Sequence, residues 1–127
     1  MRKTDQETTL HELKELVHKF GEERHWGKHH TPKNVAMSLA IEAAELMEHY
    51  QWERQGKPDM DAVADELSDV LFNVLLFALS ENLDIATSFR SKYQKLQAKY
   101  PKEKFTKDFD DLAEYRRIKL SYRNPTK

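Results

Sequence analysis

Residues 59–80 read DMDAVADELSDVLFNVLLFALS. Within them Met60, Val63, Leu67, Val70, Val74 and Ala78 recur every three or four positions, the spacing that lines up side chains on one face of an α-helix. Asp59, immediately before the run, is a residue type that accepts hydrogen bonds from the first free N–H groups of a helix. The spacing therefore predicts a helix opening at Met60. From Val70 to Leu79 it is apolar nearly all round, apart from Asn73. A helix without a polar face must be covered on every side. In so short a chain the simplest cover is a second copy of the same chain, so self-association as a homodimer or homotetramer is expected.

The neighbouring segments follow the same period. Thr31-Pro32 combines an N-cap residue with proline at the first helical position, and the helix it starts runs to about Trp52 through Val35, Leu39, Leu46 and Tyr50. Gln55-Gly56-Lys57-Pro58 makes the turn to the next helix. Upstream, Leu10, Leu13, Val17 and Phe20 predict a helix from about Asp5 to Arg24. Downstream, Asp84 caps a fourth helix marked by Ile85, Phe89, Tyr93, Leu96 and Tyr100, and Pro101 stops it. Phe109, Leu112 and Ile118 support a weaker fifth helix in a polar tail. The fold class is all-α: a four-to-five-helix bundle in one domain, residues 1–127, with its core at about 5–101.

Composition agrees. Three glycines and four prolines in 127 residues are too few for a turn-rich all-β protein. With no cysteine, disulfides, thiolate metal sites and a cysteine nucleophile are excluded. A net charge of −1 argues against a basic nucleic-acid module, so no stable nucleic-acid partner is expected. Met1 to Thr9 are almost wholly polar and Val70–Leu79 is too short to span a bilayer, so no membrane partner and a cytoplasmic location are expected. Gly21, Gly27 and Gly56 are isolated, which excludes a glycine-rich phosphate loop. Any phosphate chemistry must rest on carboxylates with a metal, or on cationic side chains.

The carboxylates are the informative pattern. Glu42-Ala43-Ala44-Glu45 and Glu66-Leu67-Ser68-Asp69 each place two acids three residues apart, on about one helical face and among apolar neighbours. Like charges so placed repel one another and resist desolvation unless a cation neutralises them. Two helices joined by a short turn near Gly56 would bring the pairs face to face. Four oxygen donors with no obligatory nitrogen favour Mg²⁺ or Mn²⁺ over zinc, and Mg²⁺ commonly binds substrate phosphates too. Solvated surface acids are the plain alternative, and Glu48 extends the stripe as a further ligand or as a solvated residue.

With Arg24-His25-Trp26, His30-Thr31-Pro32-Lys33-Asn34, Gln51-Trp52 and Lys92 ahead of Lys99-Tyr100-Pro101, the pattern over residues 10–101 resembles the MazG-like all-α nucleoside triphosphate pyrophosphohydrolases, closest to the dCTP pyrophosphatase branch. The resemblance implies hydrolysis of a nucleoside triphosphate, dCTP or a related deoxynucleotide foremost, to monophosphate and pyrophosphate, in a bundle completed across subunits. It implies Mg²⁺ held by Glu42, Glu45, Glu66 and Asp69, with Glu45 taken as the acceptor of the water's proton. It assigns Trp26 and Trp52 to the nucleobase, His30 and Asn34 to the loop or the substrate, and Lys92 to phosphate charge. The chain departs from relatives at His29, Asn73 and Leu96, positions near the nucleotide.

Other readings are weaker on the residues. A ferritin-like di-metal bundle needs Glu-x-x-His motifs on two separate helices, and Glu15-Leu16-Val17-His18 and Glu22-Glu23-Arg24-His25 both fall in the first segment. His25, His29, His30 and His49 lack the spacing of a closed zinc site. A phosphoribosyl-ATP pyrophosphohydrolase-like enzyme is opposed by Trp26 and Gln51-Trp52. A non-enzymatic helical docking module would not need four converging carboxylates.

Overall fold

Helix starts are set by side-chain caps. The hydroxyl of Thr9 accepts the Glu12 N–H at 3.1 Å while the Glu12 carboxylate accepts the Thr9 N–H at 2.8 Å, a reciprocal capping box. The first helix, α1, is therefore Leu10–Glu23 and not a helix from Asp5. Residues ahead of it form a separate turn on the Thr4 carbonyl, which takes the N–H groups of Glu7 and Thr8. Thr31 caps α2, Pro32–Glu48, by accepting the Asn34 N–H at 3.2 Å, with Pro32 in the first turn. Asp59 caps α3, Met60–Ser80, through the N–H groups of Asp61 and Ala62.

The computed structural model describes residues 3–52, 58–105 and 111–125. Most of the expected Gln55–Pro58 turn and Phe109 lie outside them. α2 stops four residues short of Trp52: the N–H groups of Tyr50 and Gln51 bond the carbonyls three residues back, a tightened last turn that ends the α-helical ladder. α4 is Ile85–Lys99 and α5 is Asp111–Arg123, with short 3-10 turns at Gly27–His29 and Lys102–Lys104. No strand occurs among the described residues, so the fold is all-α.

The chain divides into two compact units, Met1–Ile85 and Ala86–Lys127. In the first, α2 and α3 make the most extensive packing and α1 lies against α3. Val17, Val35, Val63, Leu75 and Ala78 are its buried core. Lys14 donates from Nζ to the Leu83 carbonyl at 2.7 Å, fastening α1 to the chain just past α3. In the second unit, Tyr100 stacks on Tyr115 with ring centres 5.4 Å apart, and Arg117 makes a two-pronged ion pair with Glu114. The apolar run of α3 is only partly covered. Leu75 and Ala78 are buried, but Met60, Leu67 and Leu71 are 41–57% exposed, as are Met37 and Ile41 of α2 at 55% each.

Candidate active site

α2 contributes Val35, Ser38, Glu42 and Glu45 at steps of three or four, and α3 contributes Glu66, Asp69, Asn73 and Leu76. These are single faces of two helices. Val35, Ser38 and Glu42 of the one and Asp69, Asn73 and Leu76 of the other line a common cavity. Glu42, Glu45 and Glu66 each offer a carboxylate oxygen, all within 4.8 Å of one another. At such separations each like-charge pair costs from ~1 kcal/mol in water to ~4 kcal/mol at an effective dielectric near 20. The strain is visible at Glu42, whose carboxyl titrates above the ordinary carboxylate value. Burial raises it first, then the charges of Glu45, Asp69 and Glu66.

Among the described residues no lysine or arginine pairs with these acids. The nearest basic group is His49, whose Nε2 lies 3.7 Å from Glu66 Oε1. An all-oxygen, mutually repelling donor set with one charge already resisting ionisation fits a hard divalent cation. The histidines do not build a rival site. Among the described residues the three glutamates form a metal-competent group, with no histidine in it. Glu48 is exposed and stands apart from it.

The other end of the cavity is made by the end of α1. His25 adopts a left-handed conformation, φ 55°, and reverses the chain. The Trp26 N–H then reaches the Gly21 carbonyl at 3.1 Å, and the His25 N–H reaches that of Glu22 at 3.1 Å. This paired ending brings the residue after the reversal back onto the last helical turn. Accordingly Trp26 lies edge-on to Phe20, ring centres 5.5 Å apart, and Phe20 lies edge-on to Phe72 of α3 at 5.7 Å. Arg24 covers Phe20, its guanidinium carbon 3.7 Å from the ring centre. His30 stands edge-on to Trp26 at 6.1 Å. Asn34 holds the segment down by donating from Nδ2 to the His29 carbonyl at 3.1 Å.

Between the acids and the aromatics is a cavity of about 280 Å³ lined by Trp26, His29, His30, Asn34, Val35, Ser38, Glu42, Asp69, Phe72, Asn73 and Leu76. Six residues singled out in the sequence thus share one cavity: Trp26, His30, Asn34, Glu42, Asp69 and Asn73. Asp69 faces Glu42 and is not part of the tight triad. Trp26 remains 44% exposed, yet has the company of Phe20, which its polar sequence neighbours did not reveal. Trp52 is 68% exposed beyond the end of α2 and does not line the cavity. Lys92 is exposed on α4, in the second compact unit. Sequence reading passed over Ser38 and Phe72. Their signal was spacing, since Ser38 is one turn before Glu42 and Phe72 three residues after Asp69.

Residues 30–103 match the model of the MazG nucleotide pyrophosphohydrolase domain. The chain belongs to this family. The MazG match takes in the hairpin of acids and α4, and leaves α1 and Trp26 outside. The chain is similar to human dCTP pyrophosphatase 1, 32% identical over 103 residues, and to the rat protein of that name, 31% identical over the same length. Each alignment covers 75% of this chain and 61% of the relative, so the MazG-family chain described here spans about three fifths of their length. Its fold is also that of a pyrophosphatase from Archaeoglobus fulgidus, with a TM-score of 0.65 and 31% identity over 80% of this chain and 98% of that one.

Proposed function

We propose that the chain hydrolyses nucleoside triphosphates, dCTP or related deoxynucleotides foremost, to the monophosphate and pyrophosphate. The observation that carries this is a single cavity with carboxylates at one end and an indole, an imidazole and a phenyl ring at the other. A base wants flat apolar surface and a triphosphate wants cations. In this reading Glu42, Glu45, Glu66 and Asp69 hold Mg²⁺, with Mn²⁺ as a substitute. The bound ion would supply charge neutralisation on the phosphates and a lower pKa for water.

The chain's own groups do the rest. Glu45 takes the proton from the attacking water as the bond between the α- and β-phosphates breaks. His49, beside Glu66, restrains that carboxylate. Trp26, Phe72 and His30 take the base, and Asn34 fixes the loop that carries two of them. Lys92 is assigned to phosphate charge and Trp52 to the base, both from outside the lining described above. The exposed apolar stripes of α2 and α3 support a homodimer or homotetramer, and the two compact units are read as one functional domain.

The test is a product assay with the common NTPs and dNTPs, resolved by ion exchange with and without EDTA. Monophosphate plus pyrophosphate, lost on chelation, is the expected result. Release of orthophosphate, or turnover untouched by EDTA, would overturn the reading.

A further inference from the structure

Asn73 is a buried polar side chain, 9% exposed, inside the apolar run of α3. A carboxamide there is costly unless its donors and acceptor are matched. One is matched within the helix: Asn73 Nδ2 donates to the Asp69 carbonyl at 3.0 Å. A backbone carbonyl can only accept, so the nitrogen must be the end that faces it, and the orientation of the amide is fixed. Among the described residues no fully buried side-chain nitrogen or oxygen lacks a hydrogen bond, and Nδ2 is the Asn73 atom that makes one. Oδ1 is therefore open to the cavity that Asn73 lines.

Position along α3 says what it would meet. At 1.5 Å per residue, Asn73 lies ~6 Å beyond Asp69 and ~10 Å beyond Glu66, away from the acids and toward the aromatic end. Phe72 and Trp26 line the same cavity. His29, His30, Ser38 and Asn34 also line the cavity; an imidazole or a hydroxyl offers a donor or an acceptor as needed, and the Asn34 amide is engaged in holding the His29 carbonyl. Asn73 has no such freedom. It presents a fixed acceptor with its second N–H beside it.

We infer that Asn73 sets base specificity, accepting a hydrogen bond from an exocyclic amino group and so selecting cytosine or adenine over their oxo counterparts. This rests on the reading of the cavity as a nucleotide site. Cytosine and adenine carry an amino donor next to a ring-nitrogen acceptor, the complement of a carboxamide. Uracil and hypoxanthine place a carbonyl where the amino group was, which sets two acceptors against each other in a site that cannot rearrange.

The experiment compares kcat/KM for dCTP against dUTP and for dATP against deoxyinosine triphosphate, in the wild type, Asn73→Leu and Asn73→Ala, each with Mg²⁺ and a thermal melt. The wild type should favour the amino member of the cytosine pair by ~10-fold or more, and the variants should bring that ratio near one by raising KM for the amino substrate. Leucine suits the apolar run, and alanine provides the same readout if leucine does not fold. A wild-type ratio near one, or a preference that survives in a folded variant, overturns the assignment while leaving hydrolysis in place. If the wild type turns over none of the four nucleotides, the pyrophosphohydrolase reading fails and the assignment fails with it.

Discussion

Glu42 concentrates the electrostatics of the site in one side chain. Its carboxyl is held above the ordinary carboxylate value by burial and then by Glu45, Asp69 and Glu66. A group whose pKa is raised on folding favours the folded state below its unfolded pKa, and that contribution is lost as pH rises through the raised folded value. The metal-free protein should accordingly lose stability from this group as pH climbs from the ordinary carboxylate range toward neutrality. Glu42→Gln should flatten that decline in thermal melts run across pH in EDTA, while abolishing Mg²⁺-dependent turnover. A metal-free melt profile identical to the wild type's would remove the repulsion argument. Glu45→Gln belongs beside it: loss of the proposed proton acceptor should cost roughly two to four orders of magnitude in kcat, with the fold intact by circular dichroism.

At the scale of the element, caps and chain reversals place the site. The Thr9–Glu12 capping box starts α1, and Glu12 is pulled down to about 2 first by its hydrogen bond with Lys3 and then by the Thr9 backbone N–H. Thr9→Ala should lower stability by ~1 kcal/mol near neutrality, measured by urea unfolding. A depressed carboxylate stabilises above its unfolded pKa and ceases to as pH falls through the folded value, so the contribution of Glu12 should fade as pH drops toward about 2 and be missing from Glu12→Gln. Asn34 works on a different element, the segment carrying Trp26 and His30. Asn34→Ala removes the bond to the His29 carbonyl and should raise KM several-fold while leaving the melting temperature within a few degrees. A kcat loss with KM unchanged would place Asn34 in the chemistry instead.

For the whole molecule, the unresolved balance is between buried and exposed apolar surface. Met37 and Ile41 of α2 and Met60, Leu67 and Leu71 of α3 are each 41–57% exposed. Apolar residues scattered singly are ordinary, but stripes on adjacent packed helices mark a contact surface. Light scattering should report a multiple of the 15.1 kDa chain, and Ile41→Asp combined with Leu67→Asp should return it to the single-chain mass. A wild-type protein that stays at the single-chain mass at every concentration would remove the self-association proposal. The proposed Mg²⁺ site is tested at this scale as well. At a concentration 100-fold above its dissociation constant it should add ~2.7 kcal/mol of stability, an increment absent from Glu42→Gln.

The sequence by itself determined the helices and the chemistry carried along their faces. Apolar spacing in 59–80 and the Thr31-Pro32 start are local signals, because a cap and a period of 3.6 residues are written in neighbours along the chain. Glu42, Glu45 and Glu66 were legible for the same reason, as helical spacing alone turns them to common faces and a short connection between α2 and α3 brings those faces together. Where α1 starts and α2 stops was less legible, since Thr9 against Asp5, and Glu48 against Trp52, are decided by which hydrogen bond forms. The tertiary structure alone decided the company of each side chain. It put Trp26 against Phe20, six residues earlier, through a left-handed turn at His25, a conformation that a histidine does not advertise. It left Trp52 outside the cavity, admitted Ser38 and Phe72, and set His49 beside Glu66. Faces follow from spacing within one helix, whereas contacts depend on how two helices are rotated and crossed, and no single segment encodes that.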